Sequence, residues 1–478
     1  MQKNKLLSFL PLFGLIVTLL SGCQSNIGSS DIEVKVISDD SGGALVSWWD
    51  KDNKSIHIQH INTEGNALWG SGGLIAAHGV AYNYSMIPDG QGGTIITWQQ
   101  DITYTSSSYA LWRITYSQRI DGDGKLFWSD GVPTGVIGRG NFSPPVIPDG
   151  KGGIIFTWDD SPEDVQTDAL KVQKLNPDGR NLWGEQGILI ASGHDGLGYH
   201  GGQKIFDDGS GGVLVLWEQA DKYPGPNYNL FAQRIDAHGK IVWVNPKSVN
   251  EQFNDYYCVS SMALGKEKIL LALGNSKGSE SDTIFLCIDM DTNLLWKQTV
   301  SNEDGFLSLW PWIGDGLGGV IFTRYKSTFQ GPDRPWTGWT YLQKLNQESS
   351  ALWDDNQPIL TSNERANISY SLVSDGIGGA VLTWCVKGKN NTFGDIFAQN
   401  FDSDGRIKWA QNKDAGVRVL ASDSLKYRGK PEIVNADSDS VIIVATAGQT
   451  AYLGDLIYAQ KLDSNGNSVW GEGVKIDR

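Results

Sequence analysis

One string recurs from Asp31 to the end of this chain and leaves little freedom in how it can fold: Gln-x-apolar-Asp/Asn-x-x-Gly-x-x-x-Trp. Its tryptophans are Trp69, Trp128, Trp183, Trp243, Trp296, Trp353, Trp409 and Trp470, spaced by 53 to 61 residues. Ten residues before each stands Gln59, Gln118, Gln173, Gln233, Gln343, Gln399 or Gln460, with Leu286 in the fifth repeat. Seven before stands Asn62, Asp121, Asn176, Asp236, Asp289, Asn346, Asp402 or Asp463, and four before, glycine appears in six of eight as Gly65, Gly124, Gly179, Gly239, Gly405 and Gly466. Eight registers in step are an internal repeat, and each repeat is a unit that buries its apolar surface against its neighbours.

The other half of the unit reads Asp-Gly-x-Gly-Gly-x-apolar-x-x-Trp, as in Asp149 to Trp158 and Asp375 to Trp384. The fifth and eighth repeats have lost this half and keep an apolar strand. Around it lie short β-branched and aromatic runs with no helical periodicity. In the third repeat, Pro145 to Ile147 meets a glycine turn and Ile154 to Trp158 leaves it. Leu170 to Leu175 then alternates, turns at Asn176 to Gly179 and is expected to return through Leu182-Trp183. Asp or Asn supplies side-chain capping of such a turn and Gly a positive φ. Four antiparallel strands repeated eight times predict an all-β, eight-bladed β-propeller. The length of 478 residues, which would otherwise suggest several domains, becomes one ring over residues 31–478. Asp31 to Ile37 could close it by pairing near Val474 if the blade boundaries are shifted by one strand.

The Gly-x-x-x-Trp endings resemble the tryptophan-docking motif of eight-bladed quinoprotein-like propellers. That family includes pyrroloquinoline-quinone dehydrogenases and the lipoprotein propeller subunit of the outer-membrane β-barrel assembly machinery. The resemblance implies the ring and its wedging tryptophans. The longer repeat, the Asp-to-Gly spacing one residue shorter and the added Gly-Gly half set this chain apart, and no cofactor ligand set can be read.

The N-terminus carries a different message. Lys3 and Lys5 precede an apolar run from Leu6 to Leu20, the pattern of a signal peptide. Leu20-Ser21-Gly22-Cys23 resembles the bacterial lipobox, which implies cleavage after residue 22, a diacylated Cys23, a tether over residues 23–30 and attachment to a membrane without a spanning helix. Gln24 points to an outer membrane where the host has one. The remaining Cys258, Cys287 and Cys385 contain no C-x-x-C pair and read as buried thiols.

In a four-stranded blade the first and third turns share one end of the ring, here the uniform glycine turns. The opposite end collects Gln99 to Trp112, Glu218 to Asn229, Tyr325 to Tyr341, Val386 to Asp395, Ala191 to Gln203 and Asn245 to Tyr257. Variable loops on a rigid scaffold are where binding resides. Tyr82, Tyr84, Trp112, His194, Tyr199, His200, Tyr223, Tyr228, Tyr256, Trp310, Trp312, Trp336 and Trp339 are the candidate binding residues, aromatics and histidines outside the repeat consensus.

Other chemistries fare less well. A formal charge of -15 argues against nucleic acid as partner. Asp121-Gly122-Asp123-Gly124 and Asp402-Ser403-Asp404-Gly405 lack the alternating ligands and closing acid of a calcium loop. The six histidines form no metal motif, so no metal and no cofactor is expected. The Asp-to-Trp spacing differs from that of sialidase Asp boxes. The expectation is a lipid-anchored, extracytoplasmic propeller that binds an envelope protein or glycan as a scaffold. The alternative is a glycan-active hydrolase or lyase with acids at the central channel, where two facing carboxylates would be required.

Overall fold

The computed structural model describes residues 33–80, 82–102, 112–137, 145–160, 169–192, 200–220, 228–249, 256–275, 282–300, 311–328, 337–348, 351–353, 360–362, 369–385, 395–409, 416–420, 426–448 and 456–477. All regular structure among them is strand. The first blade holds β1 (Val34–Ser38), β2 (Ala44–Asp50), β3 (Ser55–Ile61) and β4 (Leu74–His78). The second holds β5 (Tyr82–Pro88), β6 (Thr94–Ile102), β7 (Trp112–Ile120) and β8 (Val132–Ile137), and the third β9 (Val146–Pro148), β10 (Ile154–Asp160), β11 (Ala169–Leu175) and β12 (Ile188–Ser192). The fourth holds β13 (His200–Asp207), β14 (Val213–Ala220), β15 (Tyr228–Ile235) and β16 (Lys247–Ser248), and the fifth β17 (Tyr256–Leu264), β18 (Lys268–Asn275), β19 (Thr283–Asp289) and β20 (Leu294–Val300). The sixth holds β21 (Trp312–Gly314), β22 (Val320–Thr328), β23 (Thr337–Leu345) and β24 (Leu360–Ser362). The seventh holds β25 (Ser369–Ser374), β26 (Ala380–Cys385), β27 (Ile396–Phe401) and β28 (Val417–Arg418), and the eighth β29 (Lys426–Asn435), β30 (Val441–Gly448), β31 (Leu456–Leu462) and β32 (Val474–Ile476).

Each blade is one antiparallel sheet in sequence order. The first strand of every blade neighbours the first strand of the next, from β1 through to β29 and back to β1, so the eight sheets form a closed ring with these strands innermost. This is the eight-bladed β-propeller that the repeat predicts.

The core lies between blades. Among the described residues eight apolar clusters occur, one at each interface, and the cluster joining Ala44, Val46 and Trp48 to Ile442, Val444 and Trp470 closes the ring between blades eight and one. Among the described residues no strand is exchanged there: β1 pairs with β2, and β32 pairs with β31. The contingent pairing of Asp31 to Ile37 with the last blade is therefore corrected. Closure rests on side chains instead: Trp470 Nε1 donates to the Thr63 carbonyl at 2.9 Å, and Lys461 Nζ to that of Gly42 at 2.9 Å.

The repeated tryptophan wedges as expected. A Cβ on Gly65, Gly124, Gly179, Gly239, Gly405 or Gly466 would meet the tryptophan of the preceding blade at 2.7 to 3.1 Å, inside van der Waals contact, so only glycine admits the ring. These glycines also hold φ near +80°, which glycine alone adopts cheaply. Trp128, Trp183, Trp353, Trp409 and Trp470 donate Nε1–H to a carbonyl of the turn they cover.

The repeated glutamine explains a departure from expectation. Gln173 Oε1 accepts the Trp183 N–H at 2.9 Å, and its Nε2 donates to the Gly184 carbonyl at 2.6 Å. The side chain thus holds the chain against β11 where a ladder would otherwise do so. Leu182-Trp183 is therefore not the fourth strand, which begins at Ile188. The fifth repeat has Leu286, which cannot make these bonds, and there β20 starts at Leu294 and carries Trp296 opposite Cys287.

Candidate functional site

At one end of the ring, the acid that opens a glycine turn is used within that turn. In the first turn of the first blade, Asp39 Oδ1 accepts the N–H groups of Ser41 and Gly43, both at 2.8 Å. Asp89, Asp149, Asp208, Asp315 and Asp375 repeat this. In the second turn Asp121, Asp236, Asp402 and Asp463 cap the residues two and four ahead in the same way. Oxygens oriented by backbone donors are turn caps, as the spacing implied.

A second set of residues escaped the sequence reading. After six of the seven glutamines the next residue, an Arg, Lys or His, faces the other oxygen of an Asp in the first turn; Asn400 follows the seventh, Gln399. Arg119 Nε lies 2.9 Å from Asp89, Arg234 Nη2 3.2 Å from Asp208, Lys344 Nζ 3.2 Å from Asp315, Lys461 Nζ 3.1 Å from Asp437 and His60 Nε2 2.9 Å from Asp39. Lys174, Lys344 and Lys461 also donate to the carbonyl of Gly211, Gly378 and Gly42 in the next blade. The column holds Arg, Lys or His in six repeats, Cys287 in the fifth and Asn400 in the seventh, so it has no single-letter signature.

The first-blade latch makes its turn sensitive to acid. Burial alone would push the Asp39 carboxyl up, but the bonds from His60, Ser41 and Gly43 outweigh it and hold it down to about 2, from an ordinary 3.8. The stabilisation it contributes is complete above the ordinary value and is lost as pH falls through about 2. Acid denaturation followed by tryptophan fluorescence should show Asp39→Asn with a flatter loss of stability below pH 4 than the parent chain. Equal slopes would remove Asp39 as a contributor.

The opposite end receives the second-to-third-strand connections and the links between blades. In the first blade the two are joined, with the Val80 N–H donating to the Lys54 carbonyl at 2.9 Å. Tyr82, Trp112, His200, Tyr228 and Tyr256 each begin a strand at this loop end. Trp339, third in β23, is half-buried there. His194, Tyr199, Tyr223, Trp310 and Trp336 lie outside the described residues, as do the side chains of the five strand-starting residues.

Two candidates are interior instead. Tyr84 is 4% exposed, accepts a hydrogen bond from Ser47 Oγ at 3.1 Å and donates to the Glu33 carbonyl. Trp312 is 5% exposed and packs on Phe285 of the fifth blade, ring centres 5.8 Å apart. Both stand on innermost strands whose side chains fill an interface between blades, so neither is an exposed contact.

Around Tyr84 the channel wall is charged. Lys35 Nζ is 2.7 Å from Glu33 and sits over the tyrosine ring, and Glu432 of β29 acts on the same phenol. Burial, with the two carboxylates, pushes the hydroxyl well above its usual range. Glu218, at the loop end of β14, accepts the Cys258 N–H of the next blade at 2.6 Å. Burial pushes its carboxyl up, opposed by that N–H and by Lys204. Four innermost strands, β5, β13, β17 and β29, are bulged toward this end. Bulges re-aim side chains and are frequent beside working sites. Cys258, Cys287 and Cys385 are buried and form no disulfide, and burial pushes the first two thiols up to about 11.

No family model and no curated protein matches the chain. Among solved structures, prolyl oligopeptidase B from Galerina marginata, bound to a 35mer substrate, is 12% identical with a TM-score of 0.46, covering 87% of this chain and 55% of that one. An ulvan lyase, described as a new polysaccharide lyase family, is 11% identical with a TM-score of 0.43, covering 92% and 96%. A mutant of Synechocystis ACO is 9% identical with a TM-score of 0.38, covering 81% and 91%. The chain spans about half the length of the puromycin hydrolase and prolyl oligopeptidase structures it matches. Likeness at this level carries nothing about activity.

Proposed function

We propose that this chain is an envelope lipoprotein, anchored outside the cytoplasm by a diacylated Cys23, whose loop end binds an envelope protein or glycan as a scaffold. The inequality of the two ends supports the reading most directly. At the turn end the first-turn acids are engaged by backbone caps, most of them also by latches, whereas the bulged strand ends and the aromatic strand starts lie at the other. The outer membrane is the expected destination where the host has one. Crosslinking in intact cells with a photoreactive residue in place of Trp339 should recover a reproducible envelope partner. The same residue in place of Asp178, at the turn end, should not. Equal recovery from both positions would overturn the assignment of the face. Cys23→Ser should release the protein from the membrane fraction, and persistence there would overturn the anchor.

A second reading, a hydrolase or lyase acting on an envelope glycan, draws on Glu33 and Glu432 at the channel wall beside Tyr84. Turnover of purified envelope glycan that disappears in Glu432→Gln would favour it over the scaffold.

A further inference from the structure

In the column of latches, acid and base are kept or lost together in every blade but the seventh. The fifth blade has Cys287 at the position of the base and no Asp in its first turn, Leu264 to Lys268, so both partners are gone. The seventh keeps Asp375 but has Asn400 where the base belongs. Val381 pairs with Asn400 as Ile321 pairs with Lys344 and Ile442 with Lys461, so the amide stands at the register of an ammonium. Val381 lies in the cluster between the seventh and eighth blades, and Asn400 faces the same seam.

Asn400 is 8% exposed, and its buried Oδ1 has no hydrogen-bond partner among the described residues. Asp375 Oδ1 accepts the N–H groups of Ile377 and Gly379 at 2.9 and 2.8 Å, and among the described residues no base pairs with this carboxylate. Lys344 touches the same turn at the Gly378 carbonyl, but its charge is engaged 3.2 Å from Asp315. The facing turn of the eighth blade, Ala436 to Ser440, brings Asp437 and Asp439 and no base, and Asp437 is paired with Lys461. Buried oxygens turned toward one seam without a donor are costly unless a cation joins them.

We infer that the seam between the seventh and eighth blades binds a monovalent cation, potassium, where the other blades place an ammonium or guanidinium, with Asp375 and the Asn400 amide oxygen as ligands. The donor set selects this class. Oxygen ligands suit hard cations, and a single free carboxylate balances a single charge, whereas calcium is held by several carboxylates. Lys174, Lys344 and Lys461 complete the same position with a carbonyl of the next blade's first turn, and the equivalent carbonyl here belongs to the Ala436 to Ser440 turn. No motif marks the site, because its oxygens are related by strand register and not by spacing along the chain. It lies at the turn end and is independent of the loop end and of the lipid anchor.

The test uses the purified full chain. Its thermal midpoint, followed by tryptophan fluorescence, should rise saturably as potassium chloride replaces tetramethylammonium chloride at constant ionic strength. The rise should reach about 1–2 °C once potassium exceeds its dissociation constant about tenfold. Asn400→Lys supplies the charge from the chain itself, and should raise the midpoint in tetramethylammonium while abolishing the response to potassium. Asp375→Asn, which keeps the turn cap through its own oxygen, should abolish the response as well. Indifference of the parent chain to potassium would mean that the amide turns to donate its N–H to Asp375, and would overturn the site. A potassium response that survives in either variant would overturn it too.

Discussion

Trp409→Ala should cost the folded state about 3–5 kcal/mol, read as a lower denaturant midpoint at unchanged slope. Trp409 is 2% exposed, wedges against Gly466 of the eighth blade and donates Nε1–H to the Ser464 carbonyl at 2.9 Å. Truncation removes the ring, leaves a cavity beside Val419, Leu420 and Leu462, and orphans a carbonyl in the turn. The glycine it covered cannot fill the space. Trp296→Ala is the internal control. That tryptophan stands in β20, half-buried, and its buried Nε1 has no acceptor among the described residues. Its loss should be clearly smaller, and equal losses would mean that the wedge is not what stabilises the interface.

Lys344→Met should be comparably damaging for a different reason. The Lys344 and Asp315 side chains are 3% and 2% exposed, with Nζ 3.2 Å from the carboxylate and 2.8 Å from the Gly378 carbonyl of the next blade. Removing the cation strands a buried carboxylate, which typically costs about 3–5 kcal/mol. Asp315 also caps Leu317 and Gly319, a task that asparagine can perform through its own oxygen. The double variant Asp315→Asn, Lys344→Met should therefore recover much of the loss, giving a coupling of about 2 kcal/mol or more in a double-mutant cycle of chemical denaturation. At Lys461 and Asp437 the acid is 47% exposed, so water can solvate it when its partner is removed, and the coupling should be weaker. Additive effects at Lys344 and Asp315 would show that the pair is incidental.

The parts of this fold legible in the sequence are those where one residue type meets one local need. Gly466 must be glycine because a ring lies on it, Asp463 must carry an oxygen that reaches forward to the N–H groups two and four residues on, and Gln460 must offer both an acceptor and a donor. Such positions recur by identity and can be counted. The latches recur by chemistry instead, with His60, Arg119 and Lys174 interchangeable against an Asp, and their partners in the next blade are invisible to spacing. Lys461 and Gly42 lie 419 residues apart. The start of the outermost strand was misplaced because a side chain, not the ladder, holds Trp183. Tyr84 and Trp312 looked like surface aromatics because composition says what departs from a repeat, not which way it faces. The loop end has no periodicity to read.

The side-chain closure sets the order of events in folding. The contact between Trp470 and Thr63 spans 407 residues, so the first blade must keep an apolar face uncovered until almost the whole chain is available. Seven of the eight seams join neighbours and can form as the chain lengthens, whereas the last bears nearly all the entropy of joining distant segments. A chain stopped short of the eighth blade would therefore be an open arc with two adhesive ends, and those ends would find other copies more readily than each other.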